Sequence, residues 1–172
     1  MIRALFACLL FAMAACKHPP LQNASLAEVR IPSGLIHETV RSATPNKLHR
    51  LLKAGADPDA RDPETANTPL MTALLAERHD QFHLLLRAGA DLALTDRVGN
   101  TALHTAAQVN EPWLVLELLE RGAPRSTRNA QGKTFAAYLF MTPEQFSTPY
   151  NREGKRKVRE WLRNKAASHS LP

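Results

Sequence analysis

The sequence predicts an all-α solenoid of about four stacked helix pairs joined by β-turn loops, with atypical repeats at both ends. Three observations predict it. Lys53-Ala54-Gly55-Ala56-Asp57, Arg87-Ala88-Gly89-Ala90-Asp91 and Glu120-Arg121-Gly122-Ala123-Pro124 recur 34 and then 33 residues apart. Ahead of the second and third stand Thr68-Pro69-Leu70 and Thr101-Ala102-Leu103-His104, again 33 apart, and Thr134 lies another 33 on. Before each glycine, apolar residues fall at i, i+3, i+4: Leu48, Leu51 and Leu52, then Phe82, Leu85 and Leu86, then Val115, Leu118 and Leu119. Such stripes mark one buried helix face, and a fixed period of this length means that each unit buries its face against the next.

The first element is the N-terminus, MIRALFACLLFAMAACKHPP. Arg3 is a short basic region, and residues 4–15 are an apolar run too short to span a bilayer but of signal-peptide length. Ala14-Ala15-Cys16 ends the run and resembles the lipobox of bacterial lipoproteins, with Met13 where leucine is usual. The resemblance implies cleavage before Cys16 and fatty-acyl chains such as palmitate on that cysteine. An ordinary signal peptide cut after Ala12-Met13-Ala14 is the other reading. Lys17 rather than aspartate after the cysteine favours the outer membrane by the same resemblance. With Cys8 removed and Cys16 acylated, the mature chain would hold no disulfide, so packing alone must stabilise it. Residues 16–33, polar and proline-punctuated, read as a tether.

Residues 34–165 hold the repeats, divided as 34–66, 67–99, 100–132 and 133–165, and 166–172 read as a flexible tail. The segments 67–99 and 100–132 resemble the ankyrin-repeat family, whose pattern opens an inner helix with T-P-L-H and closes an outer helix before G-A-D. Each position of that pattern has a physical role. Thr68 and Thr101 are placed to cap an inner helix, and Pro69 suits its first position because it has no amide proton to leave unpaired. Gly55, Gly89 and Gly122 fall where a helix ends in a left-handed residue. By resemblance His104 bonds loop backbone; Met71 takes its place one repeat earlier. The first repeat has Gly34-Leu35-Ile36-His37 instead, and the fourth carries about ten extra residues, Thr142–Asn151, before an outer helix with Val158, Trp161 and Leu162.

Chemistry is sparse. No nucleophile elbow, P-loop or dinucleotide fingerprint occurs. The carboxylates Asp57, Asp59, Asp62, Asp91 and Asp96 recur at turn positions, which points to backbone hydrogen bonding. His79 and His83 have an i, i+4 spacing able to bind zinc, and His49 is the repeat equivalent of His83, but nothing completes a ligand set. The expectation is therefore no catalytic residue, no metal and no cofactor. The net charge of +6 is concentrated: residues 150–165 hold seven basic against two acidic residues, a local +5. That is the solvated outer face of a terminal repeat or a contact with anionic lipid; it is not the basic surface of a nucleic-acid binder.

In this family the ligand commonly lies against β-turn tips and inner-helix ends. Carried over by position, the implied partner-binding residues are Glu64, Asn67, Arg97, Val98, Asn100, Gln131 and Lys133 in turns and Leu75, Gln108, Val109 and Met141 at helix ends; apart from the family pattern, Phe146 and Tyr150 in the insertion would add aromatic anchors beside them. Leu75, Val98, Val109 and Met141 are apolar where water is expected, the mark of a protein-binding surface, or else isolated surface apolars. The sequence thus predicts a monomeric, non-enzymatic protein-binding module, lipid-anchored on the periplasmic side of a bacterial membrane. It would serve as an adaptor or assembly factor; the alternative is an immunity protein that neutralises a toxin acting in the periplasm.

Overall fold

The computed structural model describes residues 31–167. Eight α-helices follow in order: α1 Ser33–Ser42, α2 Pro45–Lys53, α3 Pro69–Leu75, α4 His79–Arg87, α5 Ala102–Gln108, α6 Pro112–Glu120, α7 Phe135–Leu139 and α8 Pro149–Ala167, with a 3-10 turn Glu144–Phe146 before the last. There is no strand among the described residues. The expected signal peptide, Cys16 and most of the expected tether lie outside them, as does the rest of the expected tail beyond Ala167.

The helices pair as the periodicity predicts. Inner helices α1, α3, α5 and α7 touch in succession; α1, α3 and α5 pack on their outer partners α2, α4 and α6, while α8 packs on α6, and α2 touches α4. The superposed stripes form the core. Phe82, Leu85, Val115, Leu118 and Leu119 are at most 1% exposed, whereas Leu51, Leu52, Trp161 and Leu162 at the two ends are only partly buried. An end repeat has one neighbour rather than two, so its stripe keeps some contact with water. Ala106 and Ala107 are buried between inner helices, where a larger side chain would hold them apart.

Local chemistry sets the boundaries. The Thr68 hydroxyl accepts from the Met71 amide at 3.3 Å, and Pro69 follows it as the first helical residue. After the outer helices, Gly55, Gly89 and Gly122 have φ of +91°, +85° and +87°, the left-handed closure expected of them.

Three boundaries differ from the expected ones. Ser33 starts α1 rather than ending the tether, and α8 runs through Ala166 and Ala167, assigned to the tail. The insertion is also shorter as a loop. Pro149, Tyr150 and Asn151 are already helical, so α8 has 19 residues against 9 in α6. The extra turns reach back over the start of α6, where Gly154 is buried flush on Pro112 and Trp113.

Candidate functional site

The turns between repeats are built from one acceptor at equivalent positions 62, 96 and 129. Asp62 Oδ1 accepts from the amides of Glu64 and Thr65, Asp96 Oδ1 from Val98 and Asn100, and Asn129 Oδ1 from Gln131 and Lys133, all between 2.8 and 3.1 Å. A short side chain that bonds backbone two to four residues on holds each loop as a tight tip. The tips are stitched together by Arg97 N–H to Thr65 O at 3.1 Å and Ala130 N–H to Val98 O at 2.8 Å. These bonds account for Asp62 and Asp96, and Asp57 and Asp91 accept likewise from the amides of Asp59 and Ala93. The Thr65 amide, with its hydroxyl and the Glu64 amide, holds the Asp62 carboxyl below its ordinary range. Burial pushes Asp59 up, against a bond from the Asp91 amide at 2.9 Å.

Between the tips and the inner-helix ends lies an open hollow of about 310 Å³, whose walls include Asn67, Leu75, Thr105, Gln108, Arg97 and Val98. Five of the residues expected to meet a partner are thus brought together. Leu75 and Val98 are each 54% exposed, two apolar side chains held on one rim by rigid elements. Arg97 also braces the rim, since its guanidinium donates to the Pro63 carbonyl at 2.6 Å, which fixes its direction.

The other expected residues are placed differently. Asn100 is a correction: it is 7% exposed, donating to Asp96 Oδ2 at 3.0 Å and accepting from Asn129 Nδ2 at 2.8 Å, so it ties turns together and cannot reach a partner. Val109 is a second, half-buried rather than exposed. Glu64 is exposed beyond the hollow. Gln131 and Lys133 are exposed around Tyr138, whose hydroxyl donates to Gln131 Oε1 at 3.0 Å while the Lys133 ammonium lies 5.4 Å from its ring. Met141, Phe146 and Tyr150 are 70%, 74% and 62% exposed, but none of them lines the hollow. Tyr150 instead stands 5.7 Å from the Trp113 ring.

Two buried histidines hold the framework. His104 Nδ1 accepts from the Thr101 amide at 3.2 Å and meets the Thr101 hydroxyl at 2.9 Å, so Nε2 carries the proton and donates to the Lys133 carbonyl at 3.1 Å. The Thr101 cap therefore closes through the histidine, which spans to the next turn as the resemblance implied. His37 does likewise, with Nε2 on the Ala60 carbonyl and Nδ1 on Thr72 Oγ1, both at 2.8 Å. Burial pushes both imidazoles below their ordinary value, partly offset by these carbonyls.

On the outer helices His83 pairs with Glu117 at 3.5 Å, and Glu117 also holds Arg121 at 3.0 Å. Glu117 is a partner the sequence reading missed; it lies 34 residues beyond His83, one position past the repeat equivalent Leu116. No group of three or more metal-ligating side chains converges among the described residues. Two further residues were missed. Asn129 sits at a position that holds aspartate in the two earlier repeats. Lys155 is only 1% exposed within a run of cations and donates to Ser147 Oγ at 3.3 Å, fastening the insertion to α8.

A family model of ankyrin repeats, in three copies, matches residues 36–129, more than half of the chain. Similar proteins include Protein PhlB of Serratia liquefaciens, 46% identical over 63 residues, covering 37% of this chain and 28% of that protein. Inversin of Danio rerio is 39% identical over 88 residues, 51% of this chain and 8% of its own. The human SH3 and multiple ankyrin repeat domains protein 2 is 31% identical over 121 residues, 69% of this chain and 6% of its own. The chain thus spans less than a third of each of these relatives. Repeat period, helix pairing and turn chemistry agree with the matched pattern: this chain belongs to the ankyrin-repeat family, a fold of protein-interaction modules that is typically without enzymatic activity.

Proposed function

We propose that this chain is an envelope adaptor or assembly factor, exported and held by acyl chains on Cys16 at the periplasmic side of a bacterial membrane, the outer one favoured, where it presents its hollow to a second periplasmic protein. One observation carries the binding half of this reading. Leu75 and Val98 stand exposed on the rim of a hollow built by hydrogen-bonded turns, and neither site adds to the packed core. Apolar side chains held rigidly in water favour a partner that covers them, since little order is lost on binding. The Ala14-Ala15-Cys16 sequence supports the anchor.

The test is purification of the tagged chain from membranes, with mass spectrometry of what co-elutes. Leu75→Arg with Val98→Arg should leave helical content and unfolding unchanged and remove the co-eluting protein. Val109 is a poorer probe, because arginine at a half-buried site perturbs the fold as well as the surface. Cys16→Ser should abolish labelling by radioactive palmitate and release the chain from the membrane. An unchanged set of co-eluting proteins would remove the hollow from consideration, and persistent labelling would remove Cys16. A captured toxin encoded beside this chain would assign the same hollow to an immunity role.

A further inference from the structure

The charge and the most exposed apolar side chains of the described residues coincide at one place, away from the hollow. Residues 31–140 carry twelve Lys and Arg against twelve Asp and Glu, while residues 141–167 carry seven against three. All of the excess among the described residues is therefore in the loop before α8 and in α8 itself. On α8, Arg152, Arg156, Arg159 and Arg163 are spaced i, i+4, i+7, i+11 and form one stripe. Gly154, Lys155 and Val158 are the buried residues of that helix, turned toward the stack.

The stripe is joined to the loop. Arg152 donates to the Ser147 carbonyl at 3.3 Å, next to Phe146, and the Arg159 guanidinium lies 4.6 Å over the ring of Phe140, next to Met141. Phe146 and Met141 are the two most exposed large apolar residues described, at 74% and 70%. Glu153 and Glu160 pair with Arg156, and Glu160 also with Lys157, which neutralises part of the stripe and leaves the excess.

We infer that this surface, Met141 and Phe146 flanked by the arginine stripe, docks on a bilayer containing anionic phospholipid. Apolar side chains set beside arginines fit the boundary between headgroups and acyl chains. There the apolar groups leave water while the cations stay at the level of the phosphates. A protein groove would also cover Met141 and Phe146; an anionic bilayer in addition matches the net positive charge of the stripe over its whole length. The inference uses neither the hollow nor an acyl chain on Cys16.

The test uses residues 31–172, which hold every core residue of the described structure and whose described part, 31–167, lies in one compact unit, so that neither the apolar run nor Cys16 contributes. This protein should sediment with vesicles of equimolar phosphatidylcholine and phosphatidylglycerol and remain in solution with phosphatidylcholine alone. Binding should weaken steeply with added salt. Met141→Ser with Phe146→Ser should lower vesicle affinity by roughly tenfold or more. Arg152→Gln with Arg163→Gln should lower it about fivefold for each cation at low salt. Val98→Ser, in the hollow, should leave vesicle affinity unchanged. Equal partition to the two kinds of vesicle, or full affinity of the serine variant, overturns the inference and leaves Met141 and Phe146 to a protein partner.

Discussion

Asn129 Nδ2 lies 2.8 Å from Asn100 Oδ1 and 2.8 Å from the Tyr138 hydroxyl, so one amide group ties two successive turns to helix α7. The same side chain accepts two backbone amides through its oxygen, as Asp62 and Asp96 do at the equivalent positions. Only the nitrogen distinguishes it from them.

Asn129→Asp is consequently the informative change. It preserves the turn, but it sets a carboxylate against the Asn100 oxygen and removes the donor to Tyr138. Loss of buried, paired groups of this kind costs about 1–3 kcal/mol. Urea unfolding should show that loss as a lower midpoint at unchanged slope. A wild-type midpoint would mean that the bridge between the turns is not what holds the last repeat.

Gly154 carries a prediction whose sign depends on packing. In an isolated helix, alanine is preferred over glycine by about 1 kcal/mol. Here a Cβ would lie 2.7 Å from Pro112 Cγ and 3.1 Å from Trp113 Nε1. Neither a proline ring at the start of α6 nor an indole can move aside without shifting its helix, and overpacking of this kind costs about 1–3 kcal/mol. Gly154→Ala should therefore destabilise the chain in thermal unfolding, with the loss concentrated in α8 by hydrogen exchange. A raised melting temperature would show that α8 does not dock there.

The stack was legible in the sequence because each of its requirements repeats. A leucine that must face the core does so at the same register in every unit, and so does the glycine that ends the helix. What escaped has no period. The register of Asn100 puts it in a turn, among partner-binding positions, and register cannot reveal that a residue 29 positions on would bury it. Lys155 lies in a run of cations that reads as solvated, yet it is buried because the lengthened α8 folds its start over the insertion. That lengthening was itself hidden. Pro143 and Pro149 mark a loop by composition, whereas Pro149 serves as the first residue of a helix, the one helical position that tolerates proline. The hollow was half legible: the turn and helix-end positions follow from the repeat, but which side chains the framework consumes depends on contacts between repeats.

The buried histidines make stability fall on mild acidification. His37 and His104 are held below their ordinary value by burial, against the pull of the Ala60 and Lys133 carbonyls and of Asp62 and Asp96 respectively; Arg41 adds to the lowering at His37. A lowered folded-state value means that the unfolded chain takes up protons first. Stability is thus level above the unfolded value of about 6.5 and declines as pH falls below it, until the folded-state value is reached. Asp62, whose carboxyl is held low by the Thr65 amide, loses its contribution only below the ordinary carboxylate value of about 3.9, in a separate window. Met71, buried at the equivalent position one repeat earlier, shows that the site accepts methionine. His104→Met should lower the urea midpoint at about pH 8 by the equivalent of roughly 1 kcal/mol, because the Lys133 carbonyl and the Thr101 amide lose their partner. It should also flatten the decline that sets in below about pH 6.5. A variant with the full wild-type slope would show that His104 takes no part in it, leaving His37 as its source.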